Sequence, residues 1–185
     1  MAEFSYEVKI PKERVAVLIG IKGETKKQIE QATQVKMDID SEEGDVVITG
    51  DDGLTLFSAR EVIKAIGRGF NPEICLKLLN PDYSFEILDI GEYTKSKKSL
   101  IRLKGRVIGQ DGKTRRIIEE FTEAHLSVYG KTISIIGTSE RVAVARQAVE
   151  NLLRGSPHKA VYQWLERQRR KIKAGLLEPE FDIKG

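Results

Sequence analysis

Gly20-Ile21-Lys22-Gly23-Glu24-Thr25-Lys26-Lys27-Gln28-Ile29-Glu30 and Gly109-Gln110-Asp111-Gly112-Lys113-Thr114-Arg115-Arg116-Ile117-Ile118-Glu119 are one pattern written twice, 89 positions apart. Each copy is preceded by an isoleucine, Ile19 and Ile108. The agreement runs on through Thr33/Thr122, Met37/Leu126 and Ile39/Val128. At an offset of 86, Leu56, Ala59, Arg60, Ile63, Ile66 and Gly69 match Val142, Ala145, Arg146, Val149, Leu152 and Gly155. A drifting offset with matched landmarks means that connections changed length while elements were kept. The chain therefore reads as a duplicated folding unit of roughly 80 residues, within the usual size of a domain.

Two glycines three apart between helical segments have a physical purpose. The backbone must turn sharply, which favours residues tolerant of positive φ. The following helix offers free N–H groups and a positive dipole end, an attractive place for an anion. Such a loop suits a sugar-phosphate chain. A single copy reads more readily as a plain helix-turn-helix corner. Two copies in the same setting favour the phosphate reading.

That setting is legible from periodicity. Phe4 to Ile10 alternates as a half-buried strand does. Pro11 opens a short helix carrying Val15, Leu18 and Ile19 inward, and a second helix starts at Glu24 and buries Ile29 and Ala32. Val35, Met37 and Ile39 form a second strand, Val46 to Ile48 a third, and Leu56 to Ile66 a third helix ending near Gly67 and Gly69. The second unit repeats the order: strand Phe85 to Ile90, helix Ser96 to Val107, helix Lys113 to Phe121, strands Leu126 to Val128 and Ile133 to Ile135, helix Glu140 to Leu153. Each unit adds a helix, Pro72 to Leu79 and Pro157 to about Lys173. Asn80-Pro81-Asp82 is a turn-rich junction. We expect domains at 1–80 and 81–173, with a tail at 174–185.

The order β-α-α-β-β-α around a GXXG loop resembles the type I KH domain, an α+β fold, here two in tandem, each with an added C-terminal helix. A KH loop clamps a backbone of about four nucleotides. The resemblance implies RNA binding through Gly109, Gln110, Asp111 and Gly112, and through Gly20, Ile21, Lys22 and Gly23. It also implies an apolar base groove, drawn from Val107, Ile108, Ile118, Leu126 and Val128 in the second unit and Ile19, Ile29, Met37 and Ile39 in the first. The alternative for each apolar residue is ordinary core packing. One departure stands out. Lys26 and Arg115 occupy the place, three after the second glycine, where KH domains commonly carry an aliphatic residue. Gly112-Lys113-Thr114, Ile118-Glu119, Thr122, Gly137/Gly155 and Val161-Tyr162 resemble the archaeal and eukaryotic partner-of-Nob (Dim-type) family of small-subunit ribosome assembly. That resemblance implies single-stranded rRNA or pre-rRNA near the 3′ end of the small-subunit RNA as target. It implies the endonuclease trimming that end, and initiation-factor subunits, as partners.

Charge separates the two units. Residues 1–80 hold 11 Lys/Arg against 14 Asp/Glu, and residues 81–185 hold 20 against 14. Nine basic residues lie between Lys95 and Arg116, opposed only by Asp111. Such a cluster attracts phosphates, although a solvated surface has the same composition. We expect the second unit to make the main contact, with Lys104, Arg106, Lys113 and Arg116 as phosphate partners. Asp111 would repel phosphate unless it serves as a helix cap. Asp38, Asp40, Glu42, Glu43 and Asp45 suit a protein partner, or a solvated turn. The basic end of the last helix, Arg167 to Lys173, also suits its dipole.

Other functions fit poorly. With 40% hydrophobic and 32% charged residues the chain suits a globular protein, and its few Cys and Met hint at a thermophile. It shows no membrane-spanning run and no secretory start, so a cytoplasmic location is expected; the chain is also expected to be a monomer. Gly112-Lys113-Thr114 ends like a nucleotide-binding loop, but that motif needs glycine where Val107 stands. Cys75 is alone and reads as a small buried hydrophobe; His125 and His158 are isolated. No enzyme activity, metal or cofactor is expected. A protein-binding scaffold with weak or no RNA affinity is the serious rival, and single-stranded DNA binding a narrower one.

Overall fold

The computed structural model describes residues 3–175; the tail beyond Gly175 lies outside the described residues. The chain divides into two compact units between Phe85 and Glu86, inside a strand.

In the first unit β1 (Phe4–Lys9) leads into α1 (Lys12–Ile19), which ends at the glycine loop. Then come α2 (Glu24–Thr33), β2 (Lys36–Ile39), β3 (Asp45–Gly50) and α3 (Gly53–Gly67). The three strands form an antiparallel sheet in the order β1-β3-β2, with Val8 opposite Val46 and Met37 opposite Ile48. Those four side chains are buried, because strand periodicity places them on the face that the helices cover. The Asp52 carboxylate caps α3, accepting from the amides of Leu54 and Thr55. The added segment is shorter as α-helix than the sequence suggests. Pro72–Cys75 is α4, and Leu76–Leu79 tightens into a 3₁₀ turn.

The second unit has β4 (Tyr83–Asp89), α5 (Lys97–Ile108), α6 (Lys113–Thr122), β5 (His125–Tyr129), β6 (Thr132–Thr138) and α7 (Ser139–Leu153). Its sheet repeats the order of the first, β4-β6-β5. Ser96 caps α5 through the Ser99 amide. The last helix among the described residues, α8 (His158–Lys173), buries Val161 and Leu165 in the core of the unit.

The duplication is visible in side-chain duties. Glu30 accepts from the Met37 amide, and Glu119 from the Leu126 amide, both at 2.8 Å. The Thr33 and Thr122 hydroxyls turn back onto the carbonyls of Ile29 and Ile118. Ala32, expected inside, is exposed, and Thr33 is buried in its place. The phase of α2 is set by Ile29, so the next inward position is four residues on.

Candidate nucleic-acid interface

Both loops adopt one backbone. The first glycine has φ 74–75° and ψ near 180°, the residue before the second glycine has φ 52°, and the second glycine has φ 74–76°. The two glycines are needed for different reasons. A Cβ on Gly109 would stand 2.2 Å from Thr114 Oγ1, and one on Gly20 would stand 2.3 Å from Thr25 Oγ1. A Cβ on Gly112 or Gly23 would meet nothing within 4 Å. The first glycine is thus fixed by the protein's own packing. The second is fixed by its left-handed conformation and faces open space, where an approaching backbone fits.

Within the second loop the Gly109 amide bonds to Gly105, the Gly112 amide to Gly109 and the Lys113 amide to Gln110. The amides of Gln110 and Asp111 take part in none of these. Asp111 does not cap α6; Gly112 holds that position and no side chain caps it. The left-handed twist at Asp111 leaves it exposed at the loop tip. Arg116 reaches back over the loop, donating to the Asp111 carbonyl at 3.0 Å and, more weakly, to the Gly112 carbonyl at 3.4 Å. Its positive charge therefore sits against the loop. Lys113 is exposed in the first turn of α6, and Lys104 is half-exposed on α5.

Several residues expected at the interface lie elsewhere. Arg106 turns inward. Its Nε donates to the Leu152 carbonyl at 2.9 Å and its Nη2 to Ser156, closing the C-terminus of α7. His158 bonds to the Arg106 carbonyl. Arg14 does the same in the first unit, donating to Ile66 and Phe70. The two arginines occupy different distances from their loops, so the repeat pattern did not disclose the shared duty. Leu126 also turns inward. It is 1% exposed and packs in the core. Ile118, Val107, Ile29 and Met37 are buried likewise. Their inward phase is what lets α5, α6 and β5 cover one core. Ile108 and Val128, and Ile19 and Ile39 in the first unit, keep partial exposure. Ile101, which the sequence reading passed over, is 70% exposed on α5.

The two units differ behind and beside their loops. Thr114, 2% exposed, lies 2.7 Å from the Tyr162 hydroxyl of α8. His158 packs edge-on against Tyr162, and Arg169 lies over the Phe121 ring. On the first unit Arg60 lies over Tyr6, and Phe4, Leu54 and Phe57 are exposed nearby on β1 and α3. The matching helix residue of the second unit, Arg146, instead pairs with Glu86 and Glu150. Both carboxylates hold its guanidinium charged beyond its usual range.

A family model described as the eukaryotic-type KH domain (KH-domain type I), built on the second KH domain of PNO1, matches residues 84–170. A general KH-domain model matches residues 5–66. A KH domain-containing protein of Methanocaldococcus jannaschii is 52% identical over 92% of this chain and 77% of its own. The chain belongs to the KH-domain family. Both KH units are of the α+β kind that the sequence resembles. The pre-rRNA-processing protein pno1 of Aspergillus fumigatus is 32% identical over 58% of this chain, a match spanning 44% of the fungal protein. Among solved structures, Dim2p of Pyrococcus horikoshii in a complex with a/eIF2alpha and rRNA is 47% identical. It superposes with a TM-score of 0.85 over 91% of this chain and 96% of that one. A protein of unknown function from Aeropyrum pernix is 37% identical, with a TM-score of 0.87 over 95% of both chains. No helix among the described residues is long and apolar enough to cross a membrane.

Proposed function

We propose that this KH protein binds single-stranded rRNA or pre-rRNA, near the 3′ end of the small-subunit RNA, and does so without catalysis as a cytoplasmic monomer. The observation that carries the reading is the Gly109–Gly112 loop. It is braced from behind by Thr114 and Tyr162 and flanked by Lys104, Lys113 and Arg116. The open space at Gly112 admits a phosphate backbone, and the half-exposed Ile108 and Val128 offer an apolar surface to bases. The rRNA target rests on the pno1 and Dim2p relatives. The Gly20–Gly23 loop is a weaker site in a unit of net negative charge. The test is a double variant, Gln110→Glu with Asp111→Glu, titrated against a ten-nucleotide RNA copied from the 3′ end of 16S-type rRNA. Affinity should fall at least tenfold with an unchanged melting temperature. Equal affinity would reject the loop as the contact. Crosslinking in cells and sequencing the bound RNA tests the target, and random recovery would reject it.

The exposed Phe4, Tyr6, Leu54 and Phe57 favour a second role for the first unit, contact with protein. We assign that face to an initiation-factor α subunit, the protein found with Dim2p and rRNA in the similar complex. The pre-rRNA 3′-end endonuclease remains a proposed partner without an assigned face. Leu54→Asp with Phe57→Asp should abolish binding of the purified α subunit and leave RNA affinity intact. Retained binding would remove the assignment.

A further inference from the structure

The second KH unit carries an insertion that the first lacks. Ile10 and Ile90 are equivalent, since each amide bonds to the turn between the last two strands of its unit, at Gly44 and Lys131. From Ile10 the chain reaches the first loop glycine in ten positions, and from Ile90 in nineteen. The added residues form a 3₁₀ turn, Ile90–Glu92, and lengthen the helix before the loop from eight residues in α1 to twelve in α5. Both helices end at a GXXG loop, so the extra turn of α5 projects away from it.

The insertion builds a cavity of about 550 Å³. That lies in the range of ~300–1,000 Å³ typical of small-molecule sites. Leu100 and Ile101 give it apolar walls, and Lys95, Lys97 and Lys131 bring positive charge. Asp89 and Glu92 also line it. One Asp89 oxygen accepts from the Gly91 amide at 2.8 Å, and Lys95 is held by the Gly91 carbonyl at 3.1 Å. Lys97 and Lys131 are both exposed.

One face of α5 leads from the cavity to the loop. Ile101, Lys104, Gly105 and Ile108 recur at helical spacing, and Ile108 directly precedes Gly109. Ile101 stands ~10 Å along the axis from Ile108, at 1.5 Å per residue. Gly105 sits between them, exposed, and a Cβ there would meet no protein atom within 4 Å. A glycine in a helix interior costs roughly 0.5–1 kcal/mol against alanine. Nothing in the protein's packing requires it, and the open space there leaves room for a close-lying ligand backbone.

We propose that this insertion cavity is a second nucleotide subsite. It takes a base of the same RNA, flanking the four nucleotides held at the loop, against Leu100 and Ile101, with the neighbouring phosphates on Lys97 and Lys131. The proposal rests on RNA binding at Gly109–Gly112. It extends the footprint of this KH unit beyond the length that one loop clamps.

The test follows isoleucine methyl signals of the full chain by NMR during titration with two RNAs. One is the ten-nucleotide 16S-type 3′ sequence, and the other a set of its four-nucleotide fragments. Ile108 should shift with both, and Ile101 with the ten-nucleotide RNA alone. Ile108 shifting while Ile101 stays still at saturating ten-nucleotide RNA would overturn the subsite and leave the loop contact standing. Neither shifting would overturn the loop contact itself. Ile101 shifting with the fragments in the same proportion as Ile108 would place both in one clamp and also overturn the extension. Lys97→Ala with Lys131→Ala adds a second readout. The slope of log affinity against log salt for the ten-nucleotide RNA should shrink by about 1.4, at ~0.7 per phosphate on a single strand. An unchanged slope would remove the phosphate contacts.

Discussion

The hydroxyl of Tyr162 lies 2.7 Å from Thr114 Oγ1, and Thr114 is the residue against which the first loop glycine packs. Helix α8 thus braces the Gly109–Gly112 loop from behind. In the first unit the corresponding added segment is only four residues of α-helix and a 3₁₀ turn.

Removing the brace tests it. Tyr162→Phe leaves the buried Thr114 hydroxyl without its partner, at a cost of about 1–3 kcal/mol for an unsatisfied buried polar group. Urea denaturation of the full chain should register that loss in the second unit. RNA affinity should fall less than it does with the loop variant, because the loop residues are untouched. A variant as stable as the parent would show that the contact adds nothing.

The two loop glycines should respond unequally. Gly112→Ala incurs only the left-handed conformation, about 1–2 kcal/mol for a residue with a Cβ. Gly109→Ala incurs its own positive φ and also drives a Cβ to 2.2 Å from Thr114 Oγ1. Overpacking of that kind typically adds about 1–3 kcal/mol. Comparing unfolding free energies of the two variants decides the matter. Equal losses would mean that the Thr114 contact relaxes freely.

The duplication, the strand and helix order and both loops were legible in the sequence because they rest on local rules. Glycines three apart mark a turn, and alternation of period two or 3.6 marks a face. The interface was less legible. Arg106 belongs to a basic cluster in sequence, yet its guanidinium points at carbonyls 46 and 50 residues away. Leu126 alternates as a strand residue, and alternation alone does not say which side the helices cover. Ile101 aligns with Lys12 at the 89-residue offset, so the repeat gave no apolar landmark at that position. Exposure and long-range partners decide these positions, and both arise only when distant segments meet.

Arg106 and Lys104, two residues apart, should separate cleanly. Arg106→Ala removes charge-assisted bonds that close α7, each worth about 1.5–3 kcal/mol. Its main effect should be a lower unfolding free energy. Lys104→Ala should leave stability within ~0.5 kcal/mol, as surface changes usually do. It should reduce the salt dependence of RNA binding by about 0.7 in slope, one phosphate contact. Measuring both quantities on both variants would expose a reversed assignment.

Gly105→Ala carries a prediction of opposite signs. The helix should gain roughly 0.5–1 kcal/mol, because alanine loses less conformational freedom than glycine. The added methyl enters the strip between Ile101 and Ile108, so affinity for the ten-nucleotide RNA should fall severalfold. A variant that is both more stable and equally tight would show that no ligand approaches this face.

Cys75 offers an internal probe of the first unit. It is fully buried, and removal from water pushes its thiol up from 9.0 to about 12, only partly offset by the nearby charge of Arg14. The native state therefore keeps the proton that the unfolded chain releases above pH 9. With fewer protons bound when unfolded, stability falls as pH rises, by up to ~1.4 kcal/mol per unit between pH 9 and 12. Below pH 9 both states are protonated and the group contributes no slope. Lysines and tyrosines titrate in the same window, so the measurement is the difference between the parent and Cys75→Val. At pH 8 a thiol reagent should label Cys75 only as fast as the first unit opens, since thiolate and access are both lacking in the fold. Rapid labelling of the native chain would contradict the buried placement of this side chain at the end of α4.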